Sequence, residues 1–272
     1  MATEEKDNYQ YKTLYLYTSL EGLLKIIETG KLKVSLPWGT NDITEGIPKN
    51  EQQRHYQTES YGYICMSDIC SSPAMWGYYA ERGRGACLVM DIFWTELQSQ
   101  SDTWVTQNPE KWTEQLPGKI VKVKYEATRP DFKTPEDILR YKSPDWKHES
   151  EYRYIIKLAD CEFSKIIDTN HGKQGQYYIR ELTRYMKGII LGPDCELQPS
   201  DISQLVKKQT SQSGISSLIH VVKAKLAKDT YSFVSQDEKS LSSVARHLVQ
   251  DIDDVSKRLI LRKQDASNPL TP

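Results

Sequence analysis

Leu14-Tyr15-Leu16-Tyr17-Thr18-Ser19 decides how the rest of the chain is read. Its apolar and aromatic residues favour a strand. The two hydroxyl residues that end it read as the cap of a helix, on which Leu20, Leu23, Leu24 and Ile27 recur at helical spacing. Gly30 closes that helix, as glycine does where the chain must turn into the left-handed region. Leu32-Lys33-Val34-Ser35-Leu36 alternates as a second strand and stops at Pro37. The opening is thus strand, short helix, strand.

The same grain continues downstream. Tyr61 to Met66 reads as a strand. Ser71-Ser72-Pro73 opens a short helix through Met75, Trp76, Tyr79 and Ala80, with Pro73 suited to the first turn. Gly83 and Gly85 make a turn, and the apolar run Ala86 to Met90 fits a buried strand. Residues 94–118, rich in Trp and Gln, read as irregular or helical. Ile120 to Tyr125 alternates as a strand, Thr134-Pro135-Glu136-Asp137 starts a short helix, and Glu151 to Ile156 is a strand. Ile166-Ile167, Gly188 to Gly192 and His220 to Ala224 are further strands, with a helix from Pro199 to about Lys208. Leu241, Val244, Leu248, Ile252, Val255 and Leu259 form a helical stripe, either core packing or a partner-binding face. The expectation is an α+β fold with short helices between strands, no parallel β-α-β period and no internal repeat. Residues 1–11 form a polar lead-in, 12–234 one domain, 235–262 a C-terminal helix and 263–272 a tail.

Composition narrows the function classes. The 272 residues carry 36 Lys plus Arg against 37 Asp plus Glu, so a globally basic nucleic-acid coat is excluded while a local basic groove is not. With 38 % hydrophobic residues the chain is globular, and no stretch approaches the ~20 apolar residues of a bilayer span. The polar N-terminus lacks the apolar core of a secretory signal, so a cytoplasmic protein without membrane contact is expected. Five cysteines, an odd number without Cys-x-x-Cys, argue against a disulfide framework or a structural zinc. The five histidines are scattered, and His148-Glu149 is followed by Ser150, Glu151 and Tyr152 rather than completing His-Glu-x-x-His, so a metalloprotease is rejected and no metal site is expected. Asn170-His171-Gly172-Lys173-Gln174-Gly175 lacks the Walker ending and reads as a turn.

Three segments gather polar groups beside aromatic ones. In the first, Thr18 and Ser19 either bind a ligand at a strand end or cap the following helix. In the second, Ser72, Trp76 and Tyr79 fall on one helical face. That face either stacks a flat heterocycle or is a core stripe, and the helix start behind Ser72 would suit a phosphate. In the third, Lys142 to Arg153, strand alternation puts Glu149, Glu151 and Arg153 on one face. Two neighbouring carboxylates repel and tend to raise each other's pKa, which Arg153 would relieve. The other reading is an exposed edge strand with an ion-pair ladder.

Taken in order, these motifs resemble a known family. Leu-Tyr-x-Tyr-Thr-Ser is followed by Asn41-Asp42-x-x-Glu45, then Ser67, Met75-Trp76-x-x-Tyr79-Ala80 and Gly85-x-Cys87. Val123-x-Tyr125, Lys142-x-x-x-Trp146-x-x-Glu149-x-Glu151-x-Arg153 and Gly188-Ile189-Ile190-Leu191-Gly192 complete the series. From about Leu14 to Val234 this resembles the bacterial family called domain of unknown function 2971. That family is in turn similar to ADP-ribosyltransferases, especially the DarT-type toxins.

The resemblance implies a split β-sandwich with NAD, as substrate, in the cleft. It implies Glu151 on the ribose hydroxyl with Glu149 beside it as the catalytic pair. Thr18 and the backbone near Leu16 would hold the nicotinamide amide, and Tyr79 or Trp76 would stack its ring. Leu16 stands where such a motif carries His, which leaves Tyr15 or Tyr17 to supply that contact. Asn41, Ser72 and Arg153 complete the NAD-binding set, with Arg82 and Arg84 as further candidates for the pyrophosphate. The implied role is a toxin or phage-defence effector that modifies a macromolecule, RNA or DNA by the nearest resemblance, with an antitoxin protein as partner. A degenerate module that binds a nucleotide or protein without chemistry, and an NAD glycohydrolase, are the alternatives.

Overall fold

A computed structural model describes residues 9–42, 44, 47, 60–96, 103–108, 111–129, 135–169, 172–213, 215 and 218–247. The fold is α+β, with a large mixed sheet and few, short helices. Strands β1 (Tyr9–Thr18), β3 (Tyr61–Ser67), β4 (Ala86–Glu96), β5 (Thr103–Asn108), β6 (Lys111–Lys122), β9 (Glu151–Lys157), β12 (Met186–Leu191), β13 (His220–Leu226) and β14 (Phe233–Ser235) make that sheet. Their order is β1-β3-β9-β6-β5-β4-β12-β13-β14. β1 also pairs with β4 along its whole length, from Tyr9↔Thr95 to Thr18↔Ala86, yet meets β3 at the single position Tyr15↔Ser67. A small sheet of β2 (Leu32–Lys33), β10 (Glu162–Thr169) and β11 (Gly172–Ile179) lies beside it, and β7 (Lys124–Tyr125) pairs with β8 (Tyr141–Lys142).

The first strand-helix-strand unit forms as its residues dictate. Helix α1 (Leu20–Thr29) is capped by Ser19, whose Oγ accepts the Gly22 N–H at 3.0 Å. Gly30 ends it at φ 66° and donates its N–H to the Ile26 carbonyl. The second strand is shorter than its alternation suggests. Leu32 and Lys33 pair with β11, Val34 donates its N–H to the Tyr177 carbonyl at 2.9 Å, and Ser35 bridges instead to Tyr63 of β3, stitching the small sheet to the large one.

Alternation assigns the two faces of the large sheet. Leu14, Leu16, Leu88, Met90, Met66, Tyr152 and Tyr154 pack under α1 and α4 (Pro199–Ser213) through Leu23, Ile26, Ile27, Ile202 and Val206. On the other face, Tyr15, Cys87 and Val89 pack under α2 (Pro73–Tyr79) and a helix at residues 241–247 through Trp76, Ala80, Leu241 and Ala245. Further along that second face, Tyr63, Val121 and Ile155 meet Leu139, which follows α3 (Pro135–Ile138). Ala86 to Met90 is wholly buried, as a strand covered on both faces requires.

Four expectations are corrected. Residues 94–118 hold the end of β4, all of β5 and most of β6; β4 pairs with β5, and β5 with β6 through register shifts on either side of Gln107. β-branched and aromatic residues such as Trp104, Val105 and Thr106 favour strand there, while interspersed Gln and Glu mask the alternation. The glycine-rich stretch is strand from Gly172 onward, paired with β10, and Asn170 and His171 lie outside the described residues. β12, α4 and β13 form one parallel β-α-β unit, Gly188↔His220 to Leu191↔Lys223, within an otherwise mainly antiparallel sheet. At the C-terminus, Phe233–Ser235 is strand and helix begins only at residue 241; the stripe beyond residue 247 lies outside the described residues. Of the stripe's described residues, Leu241 is buried and Val244 half-buried, and Leu241 packs with Ala245 in the core under the sheet. Among the described residues no helix is long and apolar enough to cross a membrane.

Candidate functional site

Where β1 touches β3 at one residue pair, a cavity of about 220 Å³ opens on the α2 face of the sheet. Tyr15, Asn41, Cys65, Ser67, Met75, Tyr79, Lys142, Glu149 and Glu151 are among its lining residues. Sheet geometry puts Tyr15, Ser67 and Glu151 there together, since Tyr15 pairs with Ser67 and Ser67 with Glu151. Leu16, one residue on, belongs to the opposite core, so the position where the resemblance asks for His faces away from this cavity.

Glu149 arrives by another route than the expected alternation. It ends a 3-10 turn, Pro144–Glu149, and Ser150 then takes the left-handed conformation, φ 45° and ψ 53°, before β9 begins at Glu151. The Ser67 hydroxyl donates to the Glu149 carbonyl at 2.6 Å, and the Glu151 N–H donates to the Tyr125 hydroxyl at 2.9 Å, which pins the junction. β9 lies between β3 and β6, with every residue from Glu151 to Ile156 buried, so the exposed edge-strand reading falls.

The two carboxylates share one cation. Lys142 Nζ donates to Glu149 Oε2 at 2.5 Å and to Glu151 Oε2 at 3.3 Å. Arg153 donates from Nε to Glu151 Oε1 at 2.8 Å, from Nη2 to Glu151 Oε2 at 3.0 Å, and from Nη1 to the Leu139 carbonyl at 2.7 Å. The Tyr79 hydroxyl donates to Glu149 Oε1. Glu149 and Glu151 are only 3 % and 4 % exposed. Two anions and two cations therefore balance inside the fold, which is what burial of charge demands.

Electrostatics separates the members. Burial alone would raise the Glu151 carboxyl, but Arg153, followed by Lys142 and the Cys65 thiol, pulls it down to about 2. Burial, then the hydrogen bond to Glu149, pushes the Tyr79 phenol well above its ordinary value. Burial also raises Tyr125 to about 12. At neutral pH Glu151 is thus an anion and Tyr79 a protonated donor.

The expected residues divide. Tyr15, Asn41, Tyr79, Glu149 and Glu151 line the cavity. Arg153 is fully buried behind Glu151, its guanidinium 4.6 Å from the Tyr63 ring centroid, and is not open to a pyrophosphate. Trp76 faces the core: it is 1 % exposed, donates its indole N–H to the Cys70 carbonyl at 2.8 Å, and meets Tyr17 edge-on at 5.4 Å. The Tyr17 hydroxyl donates to the Ile69 carbonyl at 2.8 Å. Thr18 lies along a separate, larger groove of about 620 Å³ beside α1. Ser72 is the helix cap and is not among the cavity's lining residues. Arg82 and Arg84 flank Gly83 in the turn after α2 and are likewise not among them.

Lys142, Ser67, Met75 and Tyr125 stand in the sequence motifs without an assigned role, and Cys65 lies outside them. Charge counting offers a signal for the first. Two carboxylates buried together need a second cation besides Arg153, and Lys142 is the lysine at the head of the same run. Among the described residues no group of three His, Cys, Asp or Glu side chains is placed to hold a metal ion. Compared with known protein families, curated proteins and solved structures, the chain has no significant match.

Proposed function

We propose that the protein splits the N-glycosidic bond of NAD and transfers the ADP-ribosyl group to an acceptor. One observation carries this reading: Glu149 and Glu151 converge, buried, on the wall of a cavity that also presents Tyr15, Met75 and Tyr79. When the bond from ribose C1′ to the pyridinium nitrogen breaks, both electrons go to nitrogen. The ring leaves neutral and needs no proton. The positive charge passes to C1′ and the ring oxygen, an oxocarbenium-like state. A carboxylate fixed beside that charge lowers the barrier. Glu151, kept ionised by Arg153, suits this role. Glu149, held between Tyr79 and Lys142, suits the second task of taking the proton from the attacking acceptor oxygen or nitrogen.

The cavity fits part of this substrate. About 220 Å³ is the room of roughly seven waters at ~30 Å³ each, enough for a ring and sugar and below the usual ~300–1,000 Å³ of a full ligand pocket. Asn41, next to Tyr79 on the wall, is the amide suited to the nicotinamide carboxamide. RNA or DNA as acceptor, a toxin or phage-defence role and an antitoxin partner are what the family resemblance implies.

The test is incubation with NAD labelled in the adenylate, with separate pools of RNA, DNA and protein. The parent is expected to release nicotinamide and label one pool, and Glu149→Gln and Glu151→Gln to do neither. NAD binding by calorimetry without nicotinamide release would overturn the enzymatic reading. That outcome would favour a nucleotide-binding module, a reading supported by how fully Arg153 engages both oxygens of Glu151. Free ADP-ribose without any macromolecule would mark water as the acceptor.

A further inference from the structure

A row of aromatic rings links two cavity-lining residues, Tyr79 and Lys142, both of which grip Glu149. Tyr79, inside, lies 6.3 Å ring to ring from Tyr78. Tyr78 lies 6.3 Å from His148, and His148 stacks on Trp146 at 6.1 Å and 30°. Lys142, inside again, sits 4.7 Å from the Trp146 ring centroid. Tyr78 is 67 % exposed, although it belongs to the same short helix as the buried Trp76. The His148 ring is fixed, because its Nδ1–H donates to the Asp145 carbonyl at 3.0 Å. The exposed Lys147 between Trp146 and His148 adds a cation to this segment.

The size of the cavity gives the row a task. A dinucleotide carries a second flat ring beyond two phosphates, and about 220 Å³ does not hold it. We infer that Tyr78, His148 and Trp146 form a stacking platform on the cavity rim for the adenine ring of the dinucleotide whose nicotinamide end enters the cavity. This rests on the proposed use of NAD. Rigid aromatic faces suit it, since every nucleobase has a π-face and stacking needs no hydrogen-bond match.

The experiment measures AMP binding by calorimetry for the parent, Tyr78→Ala and Tyr78→Phe, and the ratio of NAD to nicotinamide mononucleotide affinity for the same three. Tyr78→Ala is expected to weaken AMP binding roughly 5- to 150-fold, the span typical of removing one base-stacking ring. It should lower the NAD to mononucleotide ratio in step, and Tyr78→Phe should restore both. No AMP binding by the parent, or equal binding by parent and Tyr78→Ala, overturns the platform even where NAD is consumed. A parent that binds AMP in a Tyr78-dependent way but binds neither NAD nor the mononucleotide keeps the platform and overturns the NAD reading. Tyr78→Ala that weakens a single-stranded oligonucleotide while leaving AMP alone assigns the rings to nucleic acid instead, and the adenine assignment falls.

Discussion

Arg153 and Glu151 stand two residues apart on one strand and meet through two parallel contacts, Nε to Oε1 at 2.8 Å and Nη2 to Oε2 at 3.0 Å. Residues i and i+2 share a face, so the strand itself sets the fork against the carboxylate. Buried, such a pair brings little net stability, but removing one partner strands a charge. Arg153→Met is expected to cost about 3–5 kcal/mol, read in urea unfolding. Arg153→Lys keeps the charge but loses the fork and the flat contact with Tyr63, so it should recover only part of that loss. An Arg153→Met protein as stable as the parent would show that Glu151 is not held as an anion.

That anion makes stability depend on acid. Glu151 titrates near 2 in the folded protein and at 4.5 ordinarily. A carboxyl depressed by folding contributes stability that is fully present above its unfolded value and is lost as pH falls toward its folded one. Stability should therefore fall between about pH 4.5 and 2, and for Glu151→Gln this stretch of the curve should be flatter. Urea unfolding at a series of acid pH values checks this; parallel curves for parent and variant would sink it.

The structure shows what local sequence carries and what it does not. The strand at Leu14 to Tyr17, the Ser19 cap and the Gly30 stop were legible because each is decided by neighbours within one turn. Alternation gave the faces of that strand but not what covers them. Leu16 and Tyr15 take opposite sides, and only the tertiary fold says which side holds the cavity. The spacing of Trp76 and Tyr79 predicts one shared face. In a helix of barely two turns that face is split, with Trp76 in the core and Tyr79 at the cavity. Alternation predicts Glu149 on the strand, whereas a non-glycine left-handed residue, Ser150, aims it, and no pattern of hydrophobicity encodes that. Lys142 was hidden because its partners are brought back by a turn rather than by a period.

Gly30 is a glycine whose freedom the fold needs twice. Its φ of +66° disfavours a side chain, and a Cβ there would sit 1.8 Å from the Ser213 carbonyl oxygen at the end of α4. Its own carbonyl accepts from Thr183 Oγ1 at 3.1 Å, and Ser213 is held in turn by Arg180. The backbone has partners on two sides and cannot relax cheaply. Gly30→Ala should cost at least about 2 kcal/mol, from left-handed strain plus displacement of α4. Chemical denaturation reads it; a cost below about 0.5 kcal/mol would mean that α1 and α4 are not locked at this point.

Trp76 separates packing from binding. Its indole is enclosed by Tyr17 at 5.4 Å and Phe233 at 5.9 Å, with its N–H on the Cys70 carbonyl, and none of these contacts faces the cavity. A ligand ring cannot reach it without displacing core. Trp76→Phe keeps an aromatic ring but loses volume and the hydrogen bond, so it should cost about 1–3 kcal/mol of stability. Its NAD affinity, measured well below its melting temperature, should match that of the parent. An affinity loss as large as that of Tyr78→Ala would instead put Trp76 on the ligand's path and move the proposed nicotinamide wall from Tyr79 to the far side of α2.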